Sequence, residues 1–288
     1  MAVQQHRHRG GADTTRTIAV VAAAVLGVAV AVGCSGGADT VAEGATRDGD
    51  RPRDGSPGEV REAADKLAGA GSALARTSME MASGGTRLTI RGEGGYDFKR
   101  RMGRLTVVLP EDPTGAEAGR PVTELLTPGA LYMKNRGAGV PADKWVRIDT
   151  TTLEDGNLVT GGATDPLAAA ELLRGARDIA YVGEETLSGA TVRHYRGTAD
   201  IAQAAKAAEP HARASLAAAA KGFANDAVPF DAYVDDKGLL RKVRHRFSFV
   251  NEGRTVDVTS TTLLFDFGSP VTVQLPDKKD IYSGKIRA

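Results

Sequence analysis

The sequence predicts an α+β domain built on one antiparallel sheet of about ten strands. Three observations carry that expectation. From Thr86 onward apolar and polar residues alternate with a period of two in segment after segment. The breaks between segments are of turn length and rich in Gly, Pro and Asp, so successive strands fall side by side as hairpins. Three or four segments of 3.6-residue period interrupt the series, each with its own start and stop signals. A sheet that wide must curl. Residues 56–288 then form one domain.

The elements follow in order. In "SPGEVREAADKLAGAGSALARTSMEMA", Ser56 and Glu59 have capping-box spacing and Pro57 stands at the first helical position. Val60, Ala63, Ala64, Leu67, Leu74 and Met79 recur near the helical period, which predicts one long helix weakened by Gly69 and Gly71. "TRLTIRGEGGYDF" alternates and breaks at Gly94-Gly95, so "GEGG" reads as a hairpin turn. "GRLTVVLP", "PVTELLTPGALYMKN" with a turn at Pro128-Gly129, and "DKWVRID" follow as strands. "DPLAAAELLRG" is a short helix capped by Asp165 and stopped at Gly175. "RDIAYVGEE" and "ATVRHYRGTAD" meet across "TLSG"; an Ala-dominated helical stretch, 201–221, is interrupted at Pro210 and ended by Gly222. "AVPFDAYVDD", "GLLRKVRHRFSFV" and "RTVDVTSTTLLFDFG" complete the sheet, with "DDKG" as a turn.

Ahead of the domain lies a different composition. "MAVQQHRHRGGADTTRT" is basic, and Ile18 to Gly33 is an uncharged run of 16 residues ending at Cys34, the only cysteine. A basic leader, a short apolar core and small residues are the plan of an export signal. As a transmembrane helix the run would span roughly 24 Å, short of the ~30 Å hydrocarbon core. "AVGC" is similar to a lipoprotein lipobox, with Ala31 where Leu is usual, which makes residues 1–33 a signal peptide and Cys34 the diacylglycerol-modified first residue. A free, buried or catalytic thiol is the alternative. Residues 34–55 have no apolar periodicity and read as a flexible tether. The protein is thus expected to be exported and lipid-anchored to the outer face of the cytoplasmic membrane.

The leader takes three arginines and one aspartate with it, which turns the formal net charge of +1 into −1. That balance gives no reason to expect a nucleic-acid partner. His194, His211 and His245 remain, on separate segments without H-x-x-x-H spacing, and no nucleophile elbow or P-loop is present. The expectation is no catalytic residue, no metal site, no cofactor and no enzyme. "KRRMGR" and "RKVRHR" are either contacts for anionic head groups or solvated strand faces.

In "GLLRKVRHRFSFV" alternation puts Val243, Phe247 and Phe249 on one face and Lys242, Arg244 and Arg246 on the other. The apolar face is either ordinary core or the lining of a lipid pocket. Leu88, Ile90, Leu105, Val107, Met133, Trp145, Val243, Phe247, Phe249, Val256 and Val258 are the candidate lining. One Trp, seven Phe and Ala-rich helices are sparse filling for so wide a sheet. The loop 150–165, "TTTLEDGNLVTGGATD", is the candidate movable rim, or an ordinary mobile loop.

Four strings in order behind a lipobox resemble the actinobacterial LppX/LprA/LprF/LprG-type lipoprotein family, whose fold is similar to the lipoprotein carrier LolA. They are "ALYMKN" with "KWVRID", "DPLAAAELLRGARDIAYVGEETLSGATVRHYRGTADI", "AYVDDKGLLRKVRHRFSF" and "TLLFDFGSPVTVQLP", within residues 59 to 276. The resemblance implies a strongly curved antiparallel half-barrel with helices over its concave face and an apolar cavity. It also implies a lipid or lipoglycan ligand held by its acyl chains. LolA-like domains also resemble sensory modules that hold anti-sigma factors, so a non-enzymatic interaction module is the alternative.

Overall fold

The computed structural model describes residues 56–109, 121–136, 139–153, 155–160, 164–251 and 253–284. The signal peptide, Cys34 and the tether lie outside the described residues. Helix α1 is Pro57–Gly69, followed by strands β1 (Ser72–Ser83), β2 (Thr86–Asp97), β3 (Met102–Val108), β4 (Val122–Thr127), β5 (Ala130–Lys134) and β6 (Trp145–Asp149). Helix α2 (Pro166–Leu172) precedes β7 (Ala176–Leu187) and β8 (Ala190–Asp200). Helices α3 (Ile201–Ala207) and α4 (Pro210–Gly222) lead to β9 (Ala227–Asp235), β10 (Leu240–Asn251) and β11 (Arg254–Phe265). All eleven strands form one sheet, in the order β6-β5-β4-β3-β2-β1-β11-β10-β9-β8-β7, every neighbour antiparallel. The sheet is curved and its two edges do not meet, so β6 and β7 are edge strands.

The eleventh strand is a correction to the first expected element. The helix stops at Gly69, and Leu74 and Met79 belong to β1. Gly71 takes φ +84, a left-handed conformation that ends the turn, and Ala73, Ala75, Thr77 and Met79 then bury one face with period two. Within α1, Val60, Ala63, Ala64 and Leu67 are all fully buried. Ser56 Oγ accepts from Gly58 N at 3.2 Å, but Glu59 does not close a capping box. Its Oε2 instead accepts from the Tyr195 hydroxyl (2.9 Å) and from Arg193 (2.9 Å), fastening α1 to β8.

Gly94-Gly95 is the second correction: both glycines lie inside β2, and no hairpin turn forms there. The reason is close approach. A Cβ on Gly95 would sit 2.7 Å from Val271 Cγ2 of the C-terminal segment. The remaining expectations match the elements: Pro128-Gly129 joins β4 to β5, "DDKG" joins β9 to β10, and Pro210 opens α4.

Both edges are guarded. Ile281 bridges Trp145, and Tyr282 N donates to the Trp145 carbonyl at 2.8 Å, so the C-terminal segment covers β6. In β7 the register slips twice, and Asp178 (φ 51) and Gly183 (φ 153) interrupt the row of free groups.

Asp165 does double duty in α2. Its Oδ1 accepts from Leu167 N and Ala168 N at the helix start, and its Oδ2 accepts from the Tyr96 hydroxyl at 2.9 Å. Replacing Asp165 with alanine removes the cap and strands the Tyr96 hydroxyl, at an expected cost of about 2–3 kcal/mol in urea unfolding.

Candidate functional site

Register assigns each side chain to a face, because directly opposed residues on neighbouring antiparallel strands point the same way. One row runs Phe247, Val258, Met81, Leu88. The next inward is His245, Ser260, Met79, Ile90, and the next Val243, Thr262, Thr77, Gly92, Val107, Val122. A deeper row is Leu264, Ala75, Gly94, Leu105, Glu124, Met133, Val146. This is the inner face, the one the helices cover: Tyr195 beside Val228–Val234 meets α1, and Phe223 after α4 stacks on Phe247 with ring centroids 4.4 Å apart.

Ten of the eleven candidate lining residues are on this face: Leu88, Ile90, Leu105, Val107, Met133, Val243, Phe247, Phe249, Val256 and Val258. Trp145 is a correction. It pairs with Lys134, whose ammonium lies 5.7 Å from its ring centroid on the outer face, while Val146 and Ile148 of the same strand point inward.

The face is not evenly covered. Toward the β1–β2 and β10–β11 turns Met81, Leu88, Phe247, Phe249 and Val256 are only half-buried, whereas Leu105, Val107 and Val243 farther in are fully buried. Between the opposite end of the sheet and α4 lies a hollow of about 70 Å³, lined among others by Tyr96, Leu126, Asn157, Asp165, His211 and Leu216. Burial, and then the charge of Arg101, holds His211 below the ordinary imidazole range.

Polar atoms face this apolar interior. Glu124 is fully buried between Leu105 and Met133 in the register, and neither carboxylate oxygen has a hydrogen-bond partner among the described residues. Burial pushes its carboxyl up to about 8. His245 Nε2, Thr77 Oγ1 and Thr262 Oγ1 are likewise buried without partners among the described residues, and burial lowers His245 to about 4. Ser260 differs, because its hydroxyl is 2.7 Å from Thr164 Oγ1.

The described parts of the loop 150–165 are tied down. Asp155 accepts from the backbone of Asn157, Val159 and Thr160, Leu158 is buried in the core, and Thr164 also donates to the Leu158 carbonyl at 3.1 Å. Thr150, Asn157, Leu158 and Thr164 are buried, whereas Thr151, Thr152 and Thr160 are exposed.

The outer face is polar. Lys242, Arg244 and Arg246 stand on it as their spacing predicts, opposite Val243 and Phe247. Asp231 is buried there and accepts from His194 Nε2 (2.9 Å), Arg196 Nε (3.0 Å) and Arg246 (3.0 Å). Burial alone would raise the Asp231 carboxyl; these three donors outweigh it and hold it below the usual range. His194 also reaches Glu185 at 3.1 Å and stacks on Tyr233, so it is absorbed in a network on the outer sheet. Among the described residues no group of three or more His, Cys, Asp or Glu is placed to hold a metal ion, and no helix is long and apolar enough to cross a membrane.

The architecture is an α+β one, a curved antiparallel sheet with helices on its inner face. The chain is similar to the crystal structure of the lipoprotein LppX from Mycobacterium tuberculosis at 12% identity, covering 76% of this chain and 97% of that one with a TM-score of 0.45. It is similar to LprF from Mycobacterium bovis at 12% identity, with coverages of 76% and 96% and a TM-score of 0.39. The Pseudomonas aeruginosa MucA/MucB complex is matched at 15% identity, with coverages of 78% and 61% and a TM-score of 0.30. No protein-family model matches the sequence, and no curated protein matches it.

Proposed function

We propose that the protein is an exported lipoprotein, tethered through Cys34, that binds an acyl chain of a lipid or lipoglycan along the inner face of its sheet. One observation carries this reading: the apolar end of the inner face is only partly buried, at Met81, Leu88, Phe247, Phe249 and Val256. A fully filled core would bury that end as completely as the other. Ligand cavities measure about 300–1,000 Å³, so the 70 Å³ hollow beneath α4 is not the site. The chain enters at the half-exposed end and parts the covering layer from the sheet.

The energetics suit reversible binding. Burying roughly 15 methylenes is worth at most about 12 kcal/mol before ordering costs. A bilayer offers nearly the same, so transfer between the two is close to balanced and can run either way. A single acyl chain holds a protein only marginally at a membrane, so stable tethering requires the second chain of a diacylglyceryl group at Cys34. Cys34→Ser is expected to shift the protein from the membrane fraction to the soluble exported fraction, as read by fractionation and immunoblot.

Residues 52–288 form one compact unit, and its buried core begins at Val60, so this unit serves as the soluble test protein. Native mass spectrometry of the purified unit is expected to show a co-purified amphiphile. A lipid-free unit that also fails to take up a fluorescent fatty acid would overturn the reading. The complete burial of Leu105, Val107 and Val243 on the inner face favours a second reading, a protein-interaction module on the same fold, and that result would leave it standing.

A further inference from the structure

The inner face is apolar at its open end and polar at depth. Its outermost row, in which Phe247, Met81 and Leu88 are partly buried and Val258 fully buried, is followed inward by His245, then by Thr77 and Thr262, then by Glu124, each step two residues along the strands. At about 3.4 Å per residue, the row that holds Glu124 lies roughly 20 Å along β1 and β2 from Met81 and Leu88, while on its own strand Glu124 is the third residue of β4. All four side chains are more than nine-tenths buried and carry polar atoms without partners among the described residues. A guest made only of methylenes would leave each of them unpaired in an apolar surround, which is a cost that a hydrogen-bonding guest removes.

We propose that the inner face selects an amphiphile bearing a hydrogen-bonding oxygen, a hydroxyl or an ester, near its buried end, and that Glu124 is the residue that reads it. The proposal rests on the inner face being an acyl-binding site. Because burial pushes its carboxyl up to about 8, Glu124 enters a neutral pocket as the acid, with one O–H to donate and oxygens left to accept. A hydroxyl on the guest satisfies both roles at once; an ester carbonyl takes the donor.

The test uses residues 52–288 as wild type, Glu124→Gln and Glu124→Leu, at pH 6. Two probes differ in one atom: hexadecanoate and ω-hydroxyhexadecanoate, each displacing a bound fluorescent fatty acid. The wild type is expected to bind the hydroxy acid at least as tightly as hexadecanoate. Glu124→Leu should bind it about tenfold more weakly while holding hexadecanoate unchanged or tighter, and Glu124→Gln, which keeps a donor, should stay near the wild type. Thermal melts establish that each variant is folded. Equal discrimination by wild type and Glu124→Leu would overturn the role of Glu124 and leave the acyl site intact. If neither acid displaces the reporter from the wild type, the acyl site itself fails and the inference fails with it.

Discussion

Replacing Glu124 with leucine is expected to stabilise the folded protein by about 1–3 kcal/mol near neutral pH, the cost of a buried polar group left without a hydrogen-bond partner. The side chain is fully buried, its row neighbours are Leu105 and Met133, and neither oxygen is paired among the described residues. The effect grows with pH. The folded protein keeps the Glu124 proton up to about 8, whereas the unfolded chain releases it near 4.5, so stability is lost as pH rises across that interval at about 1.4 kcal/mol per unit. His245 works in the opposite sense: folded it stays neutral down to about 4, unfolded it takes a proton below 6.5, so its contribution is lost as pH falls. Between pH 4.5 and 6.5 the two slopes cancel, leaving a plateau that declines above 6.5 and below 4.5. In Glu124→Leu the alkaline decline disappears. Urea midpoints from pH 4 to 8.5 measure this directly, and a wild type with no alkaline decline would contradict it.

The second large effect is expected at Arg174. Its guanidinium grips Glu171 through Nε (2.8 Å) and a terminal nitrogen (3.0 Å), and Asp65 of α1 through 3.2 and 2.6 Å contacts. These bonds tie α2 to α1. Glu171 is fully buried, and its other partner is the Glu209 backbone N–H at 3.1 Å. Arg174→Ala therefore leaves a carboxylate inside the domain with one donor, at an expected cost of about 3–5 kcal/mol. The double variant Arg174→Met/Glu171→Leu removes the stranded charge and should recover most of the loss. A single variant that unfolds at the wild-type urea concentration would show that the clasp contributes little.

Most of the sheet was legible because its code is simple: period two, punctuated by turn residues. Strands β3 to β11 follow from that rule, and so does the split of β10 into Val243, Phe247 inside and Lys242, Arg244, Arg246 outside. The stretch 72–83 was misassigned because Ala, Leu, Met and Glu favour helix while its alternation of small buried and polar residues was the weaker-looking signal. Tertiary pairing on both sides, with β2 and β11, decided it. Gly94-Gly95 was misread because a glycine pair marks either a turn or a close approach, and only the packed Val271 distinguishes them.

At the site, parity alone puts Trp145 on the polar face, since it alternates with Arg147 and Asp149 against Val146 and Ile148. Glu124 escaped notice for the converse reason. It shares parity with Val122 and Leu126 in "PVTELLTPG", so the strand pattern puts an acid on the apolar face, and charge alone argued that it belonged outside. The wide packing of α2 and Leu158 against the sheet interior was beyond reach, because it depends on contacts between segments far apart in the chain.

The most direct measurement is photo-crosslinking of residues 52–288 with a fatty acid carrying a diazirine near its methyl end, followed by peptide mapping. Label on inner-face positions deep in the sheet, such as Ala75, Leu105 or Met133, is the expected result. Label confined to outer-face residues such as Arg244 or Trp145, or none that an unlabelled fatty acid competes away, would contradict an acyl-binding inner face.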